Sequence, residues 1–383
     1  MTVTHPLGFV ASGIAAGIKP KNAKDIALVQ NLGPHFSAAA VFTTNRAQAN
    51  PIIWSREAVK DGQVHAVVLN SGGANCFTGA AGFQATHSTA EAVGNALQVS
   101  SGDVLVCSTG MIGVQLPLDK VLAGVKTAAT SLTIEGGTDA ANAILTTDKK
   151  AKTVAQDCGG YRIGGMAKGA GMLAPGLATM LVVLTTDAKL EPFELDSALR
   201  EATRVSFDRL DSDGCMSTND QVTLLSSGAS GHTPDLAIFT SRLTDVCLDL
   251  AAQLQSDAEG AAHDITIRVS RAKTEADAVE VGRAIARNNL FKTAVFGNDP
   301  NWGRVLAAIG TTKAEFDPFD TDVLMNGVRV CSGGAPDRPR EEVDLKPRTM
   351  LLEVVLNAGD ESATILTNDL TKEYVQENSA YSS

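Results

Sequence analysis

Aromatic residues are scarce in this chain, and long apolar runs are absent. Only 4% of the 383 residues are aromatic, which argues against the stacking platforms that bind single-stranded nucleic acids. No stretch reaches the roughly 18 consecutive apolar residues that a membrane-spanning helix needs. The apolar stretch at residues 7–18 has lysines after it and none before it, which is the wrong order for a secretion signal. We therefore expect a cytoplasmic, soluble protein with no membrane partner.

Cysteine and histidine are too dispersed to indicate a metal site. The six cysteines are at least 31 residues apart, and the six histidines include no pair spaced four residues apart. Zinc sites usually show such short spacings. Without a secretion signal, we expect the thiols to be reduced and buried. No residue pattern in the sequence predicts a bound metal.

Acidic side chains outnumber basic ones, and only the first half of the chain carries a net positive charge. Residues 1–178 hold 13 basic and 10 acidic side chains, net +3, whereas residues 179–383 hold 19 and 33, net −14. Nucleic-acid binding requires basic surfaces that neutralise phosphates. Because this chain is acidic and has no basic stripe, we expect no nucleic-acid partner.

The hydrophobic fraction of 44% predicts a folded protein with a sizeable core.

Short apolar runs and longer helical patterns predict an α/β fold with mixed sheets. The pattern is not strictly alternating, which favours mixed sheets over a doubly wound parallel sheet. An Asn-Gly turn between two short apolar runs, at residues 326–327, predicts a hairpin. Apolar periodicity predicts strands at 64–70, 103–109, 153–158, 161–166, 180–185, 264–269, 351–357 and 364–367, and helices at 80–99, 117–132, 139–146, 194–210, 235–257 and 275–290.

Two glycine-containing motifs suggest ligands, but their contexts contradict this. Residues 169–174 match the dinucleotide fingerprint G-x-G-x-x-A. Pro175 and Gly176 follow, and then a strand pattern, so no helix N-terminus receives a pyrophosphate. Residues 211–214 resemble the start of a calcium loop, but the glycine comes too early and the twelfth position holds no glutamate. We interpret both motifs as connections between elements.

Thr179 is the residue with the most interesting chemical context. It stands where a Gly/Pro-rich connection, residues 168–176, meets a very apolar strand pattern. A threonine that opens a strand is usually structural, because β-branched residues favour strands. The alternative is a nucleophile, which needs a neighbouring base. If the preceding peptide bond is cut, the α-amine of Thr179 itself, with a pKa of about 8, can act as that base.

A second candidate segment covers residues 107–113 (CSTGMIG). It is a strand pattern that ends in hydroxyl groups and a glycine. Such a corner can present a hydroxyl and a backbone N–H to a developing oxyanion. Taken alone, a segment of this kind is more often a turn that simply ends a strand.

These two segments and four others together resemble the ornithine acetyltransferase (glutamate N-acetyltransferase) family. Each motif alone is weak, but the six occur in family order over nearly the whole chain. They are residues 70–79 (NSGGANCFTG), 107–113, 168–181 (KGAGMLAPGLATML), 217–220 (STND), 297–305 (GNDPNWGRV) and 377–383 (ENSAYSS).

The resemblance implies a self-processing, Ntn-like α/β fold that is cleaved between Ala178 and Thr179. Residues 1–178 would be an α chain and residues 179–383 a β chain, divided by a processing boundary rather than a domain boundary. Two chains of each kind would form a heterotetramer. The resemblance implies Thr179 as the nucleophile and Thr109 and Gly110 as the oxyanion-stabilising residues. It also implies substrate contacts from Thr147, Lys168, Thr179, Glu259, Asn378 and Ser383.

The implied reaction is a ping-pong transfer of acetyl from N-acetylornithine to glutamate, in the cyclic arginine pathway, through an acetyl-Thr179 ester. Lys168 can form a charge-assisted hydrogen bond with a substrate carboxylate, and Glu259 can form one with a substrate amine. The exchange needs no cofactor, and acetyl-CoA is expected to be a weak donor because no phosphate-cradling loop is visible. Three alternatives stay open. The first is a self-processing amidase or aminopeptidase that uses water as acceptor, and the second is a bifunctional family member that also uses acetyl-CoA as donor. The third is a non-enzymatic amino-acid-binding protein that needs no cleavage.

Overall fold

The computed structural model describes residues 2–174 and 180–380. Within these residues the chain forms fifteen strands and ten α-helices. The strands are β1 (Phe9–Ile14), β2 (Ile26–Asn31), β3 (Ser37–Phe42), β4 (Ala66–Ser71), β5 (Val104–Thr109), β6 (Lys152–Asp157), β7 (Arg162–Lys168), β8 (Leu181–Thr186), β9 (Gln221–Ser226), β10 (Asp264–Ala272), β11 (Asp322–Met325), β12 (Val328–Ser332), β13 (Ala335–Pro336), β14 (Thr349–Val355) and β15 (Glu361–Asn368). The helices are α1 (Asn50–Ala58), α2 (Gly79–Leu97), α3 (Leu118–Thr130), α4 (Gly137–Ala143), α5 (Pro192–Val205), α6 (Leu236–Ser256), α7 (Glu275–Ala286), α8 (Asn289–Phe296), α9 (Trp302–Ile309) and α10 (Lys372–Ala380).

Two central sheets share one apolar core. The strand orders are β1-β2-β4-β5 in one sheet and β3-β9-β8-β7-β6 in the other. Leu69 and Leu105 of the first sheet lie in the same cluster as Met166 and Val183 of the second. Side chains alternate between the two faces of a strand, so the outer faces are free to pack against helices. The first sheet packs on α2 and α3 and the second on α5 and α6, giving a helix–sheet–sheet–helix sandwich.

Strand pairing brings several chain segments to one region. β4 and β5 are parallel, with Ser71 opposite Thr109, so both strands end together. β7 is antiparallel to β8, and its last residue, Lys168, lies opposite Leu181 at the start of β8. β9 is parallel to β8 and starts at the same level. The end of β7 and the starts of β8 and β9 therefore share one sheet edge.

A third sheet occupies the C-terminal part of the chain. Its strand order is β13-β12-β11-β14-β10-β15, with β10 parallel to β14 and antiparallel to β15. It has its own core, in which Ile267 of β10 and Ile365 of β15 belong to one cluster with Val281 and Ile285 of α7. None of the helices in the described ranges combines the length and the apolar character that crossing a membrane requires.

The structure confirms the predicted α/β class with mixed sheets, and it corrects two predicted helices. The helix predicted at 275–290 is divided between α7 and α8, because Asn288 caps α8 by accepting the N–H of Phe291. The helix predicted at 194–210 begins two residues earlier, with Pro192, and gives way to a short 3₁₀ turn after Val205. The sequence pattern predicted no element at β1, β2, β3, β9, β13, α1, α9 or α10.

Candidate active site

A cavity of about 430 Å³ opens near the ends of β5 and β7, where α10 also reaches. Its wall contains residues from both halves of the chain. The residues selected by sequence analysis that line it are Thr109, Gly110, Thr147, Lys168, Glu259 and Asn378. The structure thus brings together six side chains and backbone groups that lie up to hundreds of residues apart in sequence. The other selected residues, Ala178, Thr179 and Ser383, lie outside the described residues.

The candidate oxyanion corner is a tight turn at the end of β5. Thr109 is 1% exposed, and its carbonyl accepts the N–H groups of Gly72 at 2.9 Å and Gly73 at 3.0 Å. Gly110 has a φ of +125°, and a Cβ at this position would lie 2.6 Å from the Gly73 nitrogen. Only glycine fits both the φ value and the close approach. The backbone of the corner is therefore held by the end of β4.

Lys168 is an almost completely buried cation in the cavity wall. Its side chain is 2% exposed, and Nζ donates to Thr109 Oγ1 at 3.0 Å. Burial lowers the pKa of Lys168, and the nearest carboxylate, that of Asp148, opposes this effect from 4.0 Å. An ammonium held next to an oxyanion corner can bind the carboxylate of an amino-acid substrate.

Asp148 lies behind the cavity wall and forms hydrogen bonds with several segments of it. Its Oδ1 accepts from Lys152 Nζ at 2.5 Å and from the N–H of Gly169 at 2.7 Å. Its Oδ2 accepts the N–H of Thr146 at 3.0 Å. Lys152 is fully buried and also donates to Asp257 at 2.5 Å. The turn before β6 and the end of β7 are thereby connected through one carboxylate.

The charge state of Asp148 follows from its neighbours. Burial alone would raise the pKa of Asp148, but the ammonium groups of Lys168 and Lys152, with hydrogen bonds from Lys152 and Thr146, lower it to about 2. Asp148 is therefore ionised at neutral pH, and it compensates two buried lysines.

Another part of the wall holds the carboxylate of Glu259. Its Oε2 accepts from Asn378 Nδ2 of α10 at 3.0 Å. A Cβ at Gly171 would come within 2.5 Å of the same carboxylate, so a side chain there would displace it. At Gly260 a Cβ would lie 2.2 Å from the backbone nitrogen of Tyr374, which shows how closely α10 packs on this turn. The C-terminal helix is thus part of the cavity.

The start of β8 is fixed by a buried carboxyl group. The N–H of Met180 donates to Asp220 Oδ1 at 3.1 Å, and Asp220 is fully buried. Burial raises the pKa of Asp220 well above its ordinary value, which favours the protonated acid. Because Asp220 directly precedes β9 and Met180 directly precedes β8, this bond connects the starts of two parallel neighbours.

Four charged residues in or behind the wall had no predicted role: Lys19, Asp148, Lys152 and Asp220. Asp148 directly follows Thr147, and Asp220 ends the STND segment, so their position next to selected motifs was an available signal. Lys19 carried no such signal. Among the residues that the structure describes, no group of three or more potential ligands could hold a metal ion.

Comparison with known proteins identifies the family. The sequence matches the ArgJ family over residues 10–383. Proteins named arginine biosynthesis bifunctional protein ArgJ from Thermobifida fusca and Streptomyces coelicolor are each 59% identical to it, over 382 and 383 residues, with 100% of both chains covered in each case. A solved structure of ornithine acetyltransferase complexed with ornithine, from Mycobacterium tuberculosis, is 49% identical and covers 47% of this chain and 96% of that chain, with a TM-score of 0.45. The family predicted from the six ordered motifs is confirmed: the chain belongs to the ArgJ family.

Proposed function

We propose that this protein transfers an acetyl group from N-acetylornithine to glutamate in arginine biosynthesis, through an acetyl ester on Thr179. The observation that carries this proposal is the single cavity that collects an oxyanion corner, a buried lysine and a glutamate. These groups match the carbonyl, the carboxylate and the amine of N-acetylornithine. The names of full-length relatives that are 59% identical, which refer to arginine biosynthesis, support the same pathway.

The binding roles follow from charge and position. Lys168 binds the α-carboxylate that both substrates share, because its ammonium contacts the oxyanion corner at Thr109 and the α-carboxylate is close to the reacting nitrogen. Glu259 binds the side-chain amine of ornithine, and Asn378 orients its carboxylate by donating a hydrogen bond to Oε2. Thr147 lines the cavity beside them and supplies a further polar contact. We extend the substrate contacts to Ser383 on the basis of the family resemblance.

The proposed chemistry needs no group beyond the chain and its two substrates. The α-amine of Thr179, free after cleavage, accepts the Oγ proton while Oγ attacks the acetyl carbonyl. The oxyanion is stabilised by the Thr109 hydroxyl and the Gly110 N–H. Ornithine leaves with the proton, and an acetyl ester remains on Thr179. The amine of glutamate then attacks this ester, and N-acetylglutamate leaves as the threonine hydroxyl is restored.

The contact between Lys168 and Thr109 has a consequence for this step. Thr109 Oγ1 accepts a hydrogen bond from the Lys168 ammonium, so its own hydroxyl proton remains available as a donor. A donor polarised by a cation is a stronger partner for a developing negative charge. Lys168 would thus support the oxyanion corner as well as bind substrate.

We propose that the chain matures by cleaving itself between Ala178 and Thr179. The cavity residues would then come from two chains: residues 1–178 contribute Thr109 and Lys168, and residues 179–383 contribute Glu259. Six residues of β7 pair with the six residues of β8 across the proposed cut, which would keep the products together. We also propose that two α and two β chains assemble in the cytoplasm.

Cleavage is tested on purified protein by denaturing electrophoresis and mass spectrometry. The wild type should give two chains with the second beginning at Thr179, whereas Thr179→Ala should give one chain of 39.8 kDa. Thr127→Ala is the matched control, because Thr127 is exposed and its hydroxyl donates to the carbonyl of Ala123 in the same helix. If Thr179→Ala were still cut at this bond without protease, self-cleavage would be excluded. A native mass of about twice 39.8 kDa is expected for the assembly.

Transfer is tested with N-acetylornithine labelled in the acetyl group. Without glutamate, label should accumulate on the peptide that begins at Thr179; with glutamate, it should move to N-acetylglutamate, and initial rates should give parallel lines. Label released as free acetate would instead indicate the amidase alternative. Full function of an uncleaved chain would indicate the binding-protein alternative. Acetyl-CoA should have a much lower kcat/KM than N-acetylornithine, and equal values would reject only the donor preference.

A further inference from the structure

Lys19 is a third charged residue of the cavity wall, in addition to Lys168 and Glu259. It lies in the loop between β1 and β2 and lines the cavity together with Lys168 and Glu259. Its Nζ donates to the carbonyl of Leu145 at 3.0 Å. Leu145 is two residues before Thr147, so Lys19 reaches the same turn that the substrate is proposed to contact. The hydrogen bond uses one of three ammonium protons, which leaves two for a ligand.

The loop that carries Lys19 is held in place by a buried carboxylate. Asp25 is completely buried and accepts three backbone N–H groups: those of Ala16 and Ile18 at 2.6 Å and that of Lys19 at 3.0 Å. Since Asp25 uses its oxygens on the backbone, it fixes the loop rather than pairing directly with the Lys19 ammonium. The backbone of Lys19 is therefore anchored by hydrogen bonds to a buried carboxylate, while its side chain lines the cavity.

The two substrates of the proposed reaction have side chains of opposite charge. N-Acetylornithine and glutamate share an α-carboxylate and an α-nitrogen, but one side chain ends in an amine and the other in a carboxylate. Glu259 attracts the amine and repels the carboxylate. Lys168 is bonded to the oxyanion corner and so is suited to the shared α-carboxylate. The side-chain carboxylate of glutamate is suited to a second cation, and a second lysine, Lys19, lines the same cavity.

We propose that Lys19 binds the γ-carboxylate of glutamate, so that Lys19 and Glu259 divide the specificity of the cavity between the two half-reactions. This inference rests on the proposed function. Burial lowers the pKa of Lys19, while the carboxylates of Asp25 and Asp148 raise it and Lys168 lowers it. An arriving carboxylate adds a further interaction that favours the charged ammonium.

The test separates the two half-reactions. Lys19→Gln is loaded with labelled N-acetylornithine in the absence of glutamate, and the label on the peptide beginning at Thr179 is measured. Glutamate or glutamine is then added over a range of concentrations. We expect acetylation within about threefold of the wild type, a rise of about 10–100-fold in KM for glutamate, as for the loss of a hydrogen bond to a charged group, and loss of the preference for glutamate over glutamine.

Two further variants act as controls for charge and folding. Lys19→Arg keeps the positive charge and should retain the preference for glutamate over glutamine. Lys21→Gln removes an exposed lysine of the same loop and should leave both half-reactions unchanged. The acetylation step itself reports that the cavity of Lys19→Gln is folded.

Two results would overturn the inference. Equal increases in KM for N-acetylornithine and glutamate would show that Lys19 binds a group that both substrates share. An unchanged KM for glutamate in Lys19→Gln would show that the γ-carboxylate is bound elsewhere. Failure of the wild type to acquire label would instead contradict the proposed function, so the two failures are distinguishable.

Discussion

Replacing Asp148 by asparagine removes one buried negative charge while keeping the shape of the side chain. The carboxylate lies 2.5 Å from Lys152 Nζ and 4.0 Å from Lys168 Nζ, and it also accepts the N–H of Gly169. Asparagine can still accept hydrogen bonds through one oxygen, but it cannot compensate either ammonium. The substitution therefore tests whether a charge behind the wall holds the cavity together.

The contacts of Asp148 set the expected loss in the free energy of unfolding. Breaking a buried ion pair by removing one partner costs about 3–5 kcal/mol. Lys152 keeps its contact with Asp257 at 2.5 Å, so we expect a somewhat smaller loss, about 2–4 kcal/mol in the free energy of unfolding at pH 7. The depression of the pKa of Asp148 from 3.8 to about 2 corresponds to about 2 kcal/mol in favour of the ionised form, in the same range.

The pH dependence has a definite sign. The pKa of Asp148 is lowered by folding, so its stabilisation is fully present above the unfolded-state pKa of about 4. It is lost as the pH falls through the folded-state pKa of about 2. The difference in stability between the wild type and Asp148→Asn should therefore be constant from neutral pH down to about 5 and shrink between about 4 and 2.

The assay is urea unfolding followed by circular dichroism at fixed protein concentration, in the uncleaved Thr179→Ala background. Asp196→Asn serves as the control, because Asp196 is half-exposed and forms a helical pair with Arg200 at 2.8 Å; such pairs contribute about 0–1 kcal/mol. An Asp148→Asn variant as stable as this control at pH 7 would refute the reasoning. So would a difference that grows as the pH is lowered.

Three further predictions concern the cavity. Thr109→Ala should lower kcat by about 10²–10³-fold with little change in KM. Thr109→Ser keeps a hydroxyl that can bond to Lys168, so this variant should retain most of the activity. A tenfold rise in KM at unchanged kcat would instead place Thr109 in ground-state binding. Glu259→Gln should raise KM for N-acetylornithine by about tenfold or more and leave KM for glutamate unchanged or lower. Equal increases in both KM values in steady-state assays would contradict the assignment of Glu259 to the ornithine amine. Deleting residues 381–383 should reduce activity without lowering the thermal unfolding midpoint, and full activity of the shortened chain would remove Ser383 from the substrate contacts.

The local sequence determined much of the fold class and the family of this protein. β8 is buried on both faces, and a strand of this kind appears as a continuous apolar run that needs no knowledge of its partners. The six ordered motifs were sufficient to identify the family. The resemblance to that family then selected six residues that share one cavity. In contrast, β1, with two small residues and a glycine among its six, has too weak a pattern to be assigned as a strand.

The positions of Lys19, Lys152 and Asp257 in or behind the cavity wall became apparent only in the tertiary structure. Lys152 and Asp257 are 105 residues apart, and Lys19 and Leu145 are 126 residues apart. In sequence, each of these charged side chains is indistinguishable from a solvated surface residue, because periodicity reports only the immediate neighbours along the chain. Whether a lysine is buried, paired or presented to a substrate depends on its tertiary neighbours. Those neighbours are set by the strands whose ends meet where the two sheets pack together.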